Sequence, residues 1–140
     1  MRLFRSLAVF VLLSPLNVGP GIAQDFTTSA GVKPILELIR PQWVAIRPYD
    51  GKDHLYFTTL LVYRCGIEQI SFAYNGGPFQ VLDHEPCYAG EANPSALKIE
   101  THLPYVVAPL DGLQSVDIRL EFDDGSVMLQ NYGRADIQIN

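Results

Sequence analysis

Five consecutive residues, Asp50, Gly51, Lys52, Asp53 and His54, form the most polar cluster ahead of a strongly apolar run. Two carboxylates three residues apart around a glycine offer oxygen donors of the kind calcium takes. The alternating donors and closing Glu of a calcium loop are missing, so the segment reads as a polar turn before a strand, and no metal or other cofactor is expected. His54, His84 and His102 are the histidines, each able to act as base or ligand. They share no motif, although His84 and Glu85 stand in a long irregular segment of the kind where functional residues gather. Nucleophilic catalysis would need a Ser or Cys with a base and an orienting acid. No GxSxG is present, and Ser71, Ser115 and Ser126 fall where strands and turns account for them. Tyr49, Phe79 and Tyr88 lie in or beside turns, where aromatic rings on a rigid scaffold would hold a protein or a sugar. The candidate binding surface is therefore Tyr49, Asp50, Asp53, His54, Phe79, His84, Glu85 and Tyr88, with no catalytic residue assigned.

The elements that must position these groups begin after an export signal. Arg2 and Arg5 precede the apolar run from Leu7 to Leu13, which Pro15 ends, and Gly21-Ile22-Ala23 supplies small residues for cleavage before Gln24. Residues 1–23 are thus expected to be a secretory signal peptide, 24–32 a loose polar tail and 33–140 a single domain. Loss of two arginines from a chain of formal net charge −5 leaves the mature part at −7. Such a charge argues against nucleic acid and anionic membrane as partners, since both require a basic patch. No later stretch is long enough to span a membrane. Cys65 and Cys87 are the only cysteines, and an even count in an exported chain reads as a disulfide, worth about 3 kcal/mol by loop closure. The competing uses are free thiols or a metal pair, but a structural zinc site needs four ligands and no CxxC or HxxxH accompanies them.

Strand signals dominate the remainder. Pro34 and Pro41 bracket residues 35–40 and Pro48 ends 43–47, a spacing expected to exclude a helix of ordinary length and to suit edge strands or strand ends. Residues 54–64 are apolar on both alternating faces and read as one long central strand. Residues 67–74, Asn75-Gly76-Gly77 and 78–82 read as a hairpin. Residues 83–95 form the longest irregular segment, pinned by Cys87. Short strands follow at 97–100 and 105–108. Val116, Ile118, Leu120 and Phe122 alternate with polar residues, and Asp123-Asp124-Gly125 turns the chain into 126–130, with a last strand at 136–139. The expected fold is all-β, a small antiparallel sandwich or barrel with one disulfide.

The run Ile70-Ser71-Phe72-Ala73-Tyr74-Asn75-Gly76-Gly77-Pro78-Phe79-Gln80 resembles the central hairpin of bacterial immunoglobulin-like and fibronectin type III-like modules. The resemblance implies a sandwich and no activity, because that scaffold hosts many functions. The chain departs from true immunoglobulin domains in that Cys65 and Cys87 lie too close for the usual inter-sheet bridge, and Trp43 precedes both. The expectation is an exported, periplasmic or secreted, non-catalytic domain with a binding or structural role toward a protein or glycan. The alternatives are a small hydrolase using His54 or His84, and an inhibitor of a secreted enzyme presenting the loop around Cys87.

Overall fold

A computed structural model describes residues 25–139. The proposed signal peptide lies outside the described residues. Strands β1 (Ala45–Tyr49), β2 (Lys52–Tyr56), β5 (Tyr105–Pro109) and β8 (Gln138–Ile139) form one sheet in the order β5-β2-β1-β8. Strands β3 (Gln69–Tyr74), β4 (Gln80–Val81), β6 (Ser115–Glu121) and β7 (Val127–Gly133) form a second, ordered β4-β3-β6-β7. Every pairing is antiparallel except β1 with β8. Two separate sheets around one apolar cluster make the fold a small all-β sandwich with one disulfide, Cys65–Cys87, and not a closed barrel.

Turn chemistry sets the hairpins. Asn75 and Gly76 both adopt positive φ, 54° and 69°, between β3 and β4, and Asp50 and Gly51 do the same between β1 and β2, at 50° and 68°. Two-residue turns of this hand match the twist of the flanking strands and favour Asn-Gly and Asp-Gly. The polar cluster before the apolar run is thus first a hairpin turn. Asp124 closes the β6–β7 turn by accepting from the Ser126 N–H at 3.0 Å and its hydroxyl at 2.6 Å.

Two helices interrupt the strand expectation. Helix α1 (Ser29–Leu38) begins within the segment expected to be a loose tail and carries Pro34 inside it. Pro34 leaves the carbonyl of Ala30 without its helical donor, but Ala30 is exposed and water can serve it. Tertiary contacts outweigh that loss. Val32 and Leu36, one turn apart, are fully buried, Thr28 Oγ1 caps Gly31 N–H at 3.2 Å, and the Trp43 indole donates to the Leu36 carbonyl at 2.9 Å. Gly66 allows the close approach of α1, since a Cβ there would meet Thr28 O and Val32 Cγ2 at 2.6 Å.

Residues 54–64 are not one strand: β2 stops at Tyr56 and α2 (Thr58–Val62) follows. Phe57, Leu60, Leu61 and Arg64 are all buried, at i, i+3, i+4 and i+7. That helical spacing is concealed by the apolar residues between them. Residues 97–100, expected to be a strand, are irregular and serve instead as hydrogen-bond donors to a buried carboxylate.

Three buried charged side chains, Asp53, Arg64 and Glu85, organise what lies between the elements. Asp53 points inward from β2 and meets Arg134, which follows β7, through a paired contact of 2.6 and 3.2 Å. Arg134 also donates to the Leu113 carbonyl at 2.9 Å and to the exposed Asp111 carboxylate at 3.2 Å. Arg64 donates to the carbonyls of Leu61, Pro86, Ser95 and Ala96 at 2.7–3.0 Å. Glu85, 2% exposed, accepts from the Lys98 and Ile99 N–H groups and the Tyr88 hydroxyl.

Arg134 holds the Asp53 carboxyl below its usual range, and the Lys98 and Ile99 backbone donors do the same for Glu85. A depressed folded-state pKa contributes stability that is present above the unfolded value, near 4, and is lost as pH falls through the folded value. Urea unfolding should therefore show a stability that declines below about pH 5, and Asp53→Asn should lose about 3 kcal/mol at pH 7 with a shallower acid decline. An unchanged acid decline in both Asp53→Asn and Glu85→Gln would show that these carboxylates do not carry it.

Candidate functional site

Because Asp53 and Leu55 face the core, Lys52, His54 and Tyr56 must face outward from β2. Register places His54 between Arg47 and Val107, and Tyr56 between Ala45 and Tyr105. Gln138 of β8 stands opposite Ala45 on the other side. The outer face of the first sheet thus carries Tyr105, Val107, His54, Tyr56, Arg47, Tyr49, Ala45 and Gln138 in adjoining rows.

Two features of this face depart from an ordinary solvated sheet surface. The first is a chain of rings: Tyr49 lies 5.7 Å from His54, His54 4.9 Å from Tyr105, and Tyr105 4.9 Å from Tyr56. The guanidinium of Arg47 lies 5.3 Å from the Tyr49 ring centre, in cation–π range. The second is an open cavity of about 590 Å³ with Ala45 between Arg47, Tyr56 and Gln138, bounded further by Gln42, Thr58 and Thr59. Gln42 comes from the short turn after α1, and the two threonines open α2, so that turn and α2 contribute to its wall. The small Ala45 side chain keeps room among larger neighbours. A cavity of this size suits a small ligand.

Of the residues expected to form a binding surface, Tyr49 and His54 meet on this face and Asp50 sits exposed in the adjoining turn. Asp53 and Glu85 are corrections: both carboxylates are buried and spent on internal hydrogen bonds, so neither offers a surface contact or an open calcium ligand. Phe79 is 47% exposed but precedes β4 in the other sheet. His84 and Tyr88 lie in the loop between β4 and β5. There Nδ1 of His84 contacts the Glu85 carbonyl at 2.7 Å, and Tyr88 lies against Arg64 and Lys98. The expected surface therefore divides among three regions. Arg47, Tyr56, Tyr105, Gln42, Thr58, Thr59 and Gln138 were not singled out. The signal available for part of this set was the alternation of Arg47 and Tyr49 with His54 and Tyr56 across an Asp-Gly turn, which directs all four to one face.

The histidines stand on separate segments, His54 in β2 and His84 and His102 in the connection between β4 and β5. His102 contacts the Thr101 hydroxyl at 2.8 Å and Asp83 at 3.4 Å, in the order of a nucleophile, base and acid. Thr101 is exposed, Asp83 is 94% exposed, and none of the three lines the cavity. His54 is flanked by rings, and its Nδ1 is buried with no hydrogen-bond partner among the described residues. Comparison with protein-family models, curated proteins and solved structures finds no match.

A buried polar atom without a partner contributes no stability, and an apolar ring of similar shape removes its desolvation cost. His54→Phe should leave the thermal midpoint unchanged or raise it by a few degrees. A fall of more than about 5 °C would show that the imidazole makes a stabilising bond.

Proposed function

We propose that the protein is an exported, non-catalytic binding module that takes its ligand in the cavity on the outer face of β1, β2 and β8. The observation that carries this reading is the composition of that cavity: a guanidinium, a phenol, two amides and two hydroxyls around an alanine, on a rigid sheet. Converging polar groups beside the Tyr56 ring and Ala45 fit recognition, since such groups fix orientation and discriminate between ligands. The signal-like order of residues 1–23 and the Cys65–Cys87 bond support a periplasmic or extracellular setting, where disulfides persist.

A second reading, inhibition of a secreted enzyme, draws on the loop around Cys87. Its exposed residues 89–93 are framed by a Tyr88 N–H to Pro94 carbonyl bond of 2.9 Å and anchored by Arg64, Glu85 and the disulfide. A pre-ordered loop is the usual inhibitor device.

Ala45→Trp separates the two readings, because it fills the cavity from the outer face without touching the core. The immobilised oxidised protein is exposed to envelope and secreted material of the source cells, and bound protein and carbohydrate are both analysed. The expected result is a bound species that Ala45→Trp loses and that replacement of residues 89–93 retains, with thermal midpoints unchanged. The reverse pattern would move the function to the loop, and insensitivity to both would contradict each reading.

A further inference from the structure

We propose that the ligand of this face is an acidic oligosaccharide, a sugar chain bearing carboxylates of the uronic acid type, with Arg47 as the group that recognises its charge. The inference rests on the binding reading and specifies its chemistry. Five arginines lie among the described residues, and four are committed within the fold. Arg40 pairs with Glu37 at 2.7 Å, Arg119 with Glu121 at 3.2 Å and Arg134 with Asp53, while Arg64 is enclosed by carbonyls. Arg47 alone among them forms neither a carboxylate pair nor a carbonyl cage. It is exposed, lies against Tyr49, and borders the cavity.

Among the described residues the cavity lining contains no acidic side chain, although the chain carries 15 Asp and Glu against 10 Lys and Arg. A guanidinium without a counter-charge among the described residues, beside a concave surface in an acidic protein, is a complementary position for an anion. Its planar fork matches a carboxylate through two parallel hydrogen bonds. The other lining groups favour a sugar over a peptide. Gln42, Gln138, Thr58 and Thr59 present amides and hydroxyls suited to a hydroxyl-rich ligand, and the Tyr56 ring offers a flat apolar surface. A peptide would require apolar recesses for its side chains, and among the described residues the only aliphatic side chain lining this cavity is Ala45.

The test is isothermal titration of the oxidised protein with trimers of galacturonate and of mannuronate, a hyaluronan tetrasaccharide, and the methyl ester of each. At least one acid form should bind, at least tenfold more tightly than its ester, and more weakly as salt rises. Arg47→Gln should lower the affinity of that acid form at least tenfold and leave the ester unchanged, while Arg47→Lys should restore part of the loss. Equal affinity for acid and ester, or no effect of Arg47→Gln, would overturn the charge assignment. Indifference to the whole panel, in a protein that still captures a ligand sensitive to Ala45→Trp, would overturn the sugar class and leave the binding reading standing. Indifference to the panel together with no such capture would remove both.

Discussion

The contact between Asp53 and Arg134 fixes which side of the first sheet is the outside. A strand has a side-chain period of two, so an inward Asp53 obliges Lys52, His54 and Tyr56 to point outward. A slip of one residue would bury His54 and Tyr56 and expose Leu55, and would strand Arg134 without its carboxylate. Because Arg134 follows β7 of the second sheet and also holds the Leu113 carbonyl, the pair ties the two sheets together at one end of the sandwich. A hydrophobic pair of similar volume could match its stability, so its particular contribution is to specify register. The row of rings and the cavity beside it depend on that register.

Arg64 plays the corresponding part for the long connection between β4 and β5. A segment with little regular structure must still satisfy its buried backbone groups. Arg64 supplies donors to the carbonyls of Leu61, Pro86, Ser95 and Ala96, and Glu85 supplies acceptors to the Lys98 and Ile99 N–H groups. The two charges thus take the place of a sheet ladder, and Cys65–Cys87 closes the same region covalently. What looked like an acidic loop available for contact is, at Glu85, part of the interior.

The sandwich, its disulfide and its two clearest hairpins were legible because alternation and turn residues are local signals. Asn75-Gly76 and Asp123-Asp124-Gly125 each state their conformation within a few residues. Helix α1 was concealed because Pro34 argues against it locally, while the burial of Val32 and Leu36 and the bond from Trp43 that favour it are tertiary. Helix α2 was concealed for the opposite reason, since nearly every residue from Leu55 to Tyr63 is apolar or β-branched and a helical face does not stand out. The candidate site was only half legible. Tyr49 and His54 stood out by type and position, but their partners Arg47, Tyr56 and Tyr105 become neighbours only through strand register, and Gln42 and Gln138 only through the fold. Asp53 and Glu85 stood out as polar residues in turns, whereas their roles depend on Arg134 and on the backbone of residues 98–99.

The most direct measurement of the central claim is a nuclear magnetic resonance titration of the isotopically labelled, oxidised protein with trigalacturonate, following backbone, arginine Nε–H and side-chain amide signals. Recognition on the outer face predicts that the Arg47 Nε–H, the Gln42 and Gln138 amides and the backbone of β1 and β2 shift together, while residues 83–95 and the neighbourhood of Phe79 stay in place. Shifts gathered instead in the loop around Cys87 or on the outer face of the second sheet would contradict it.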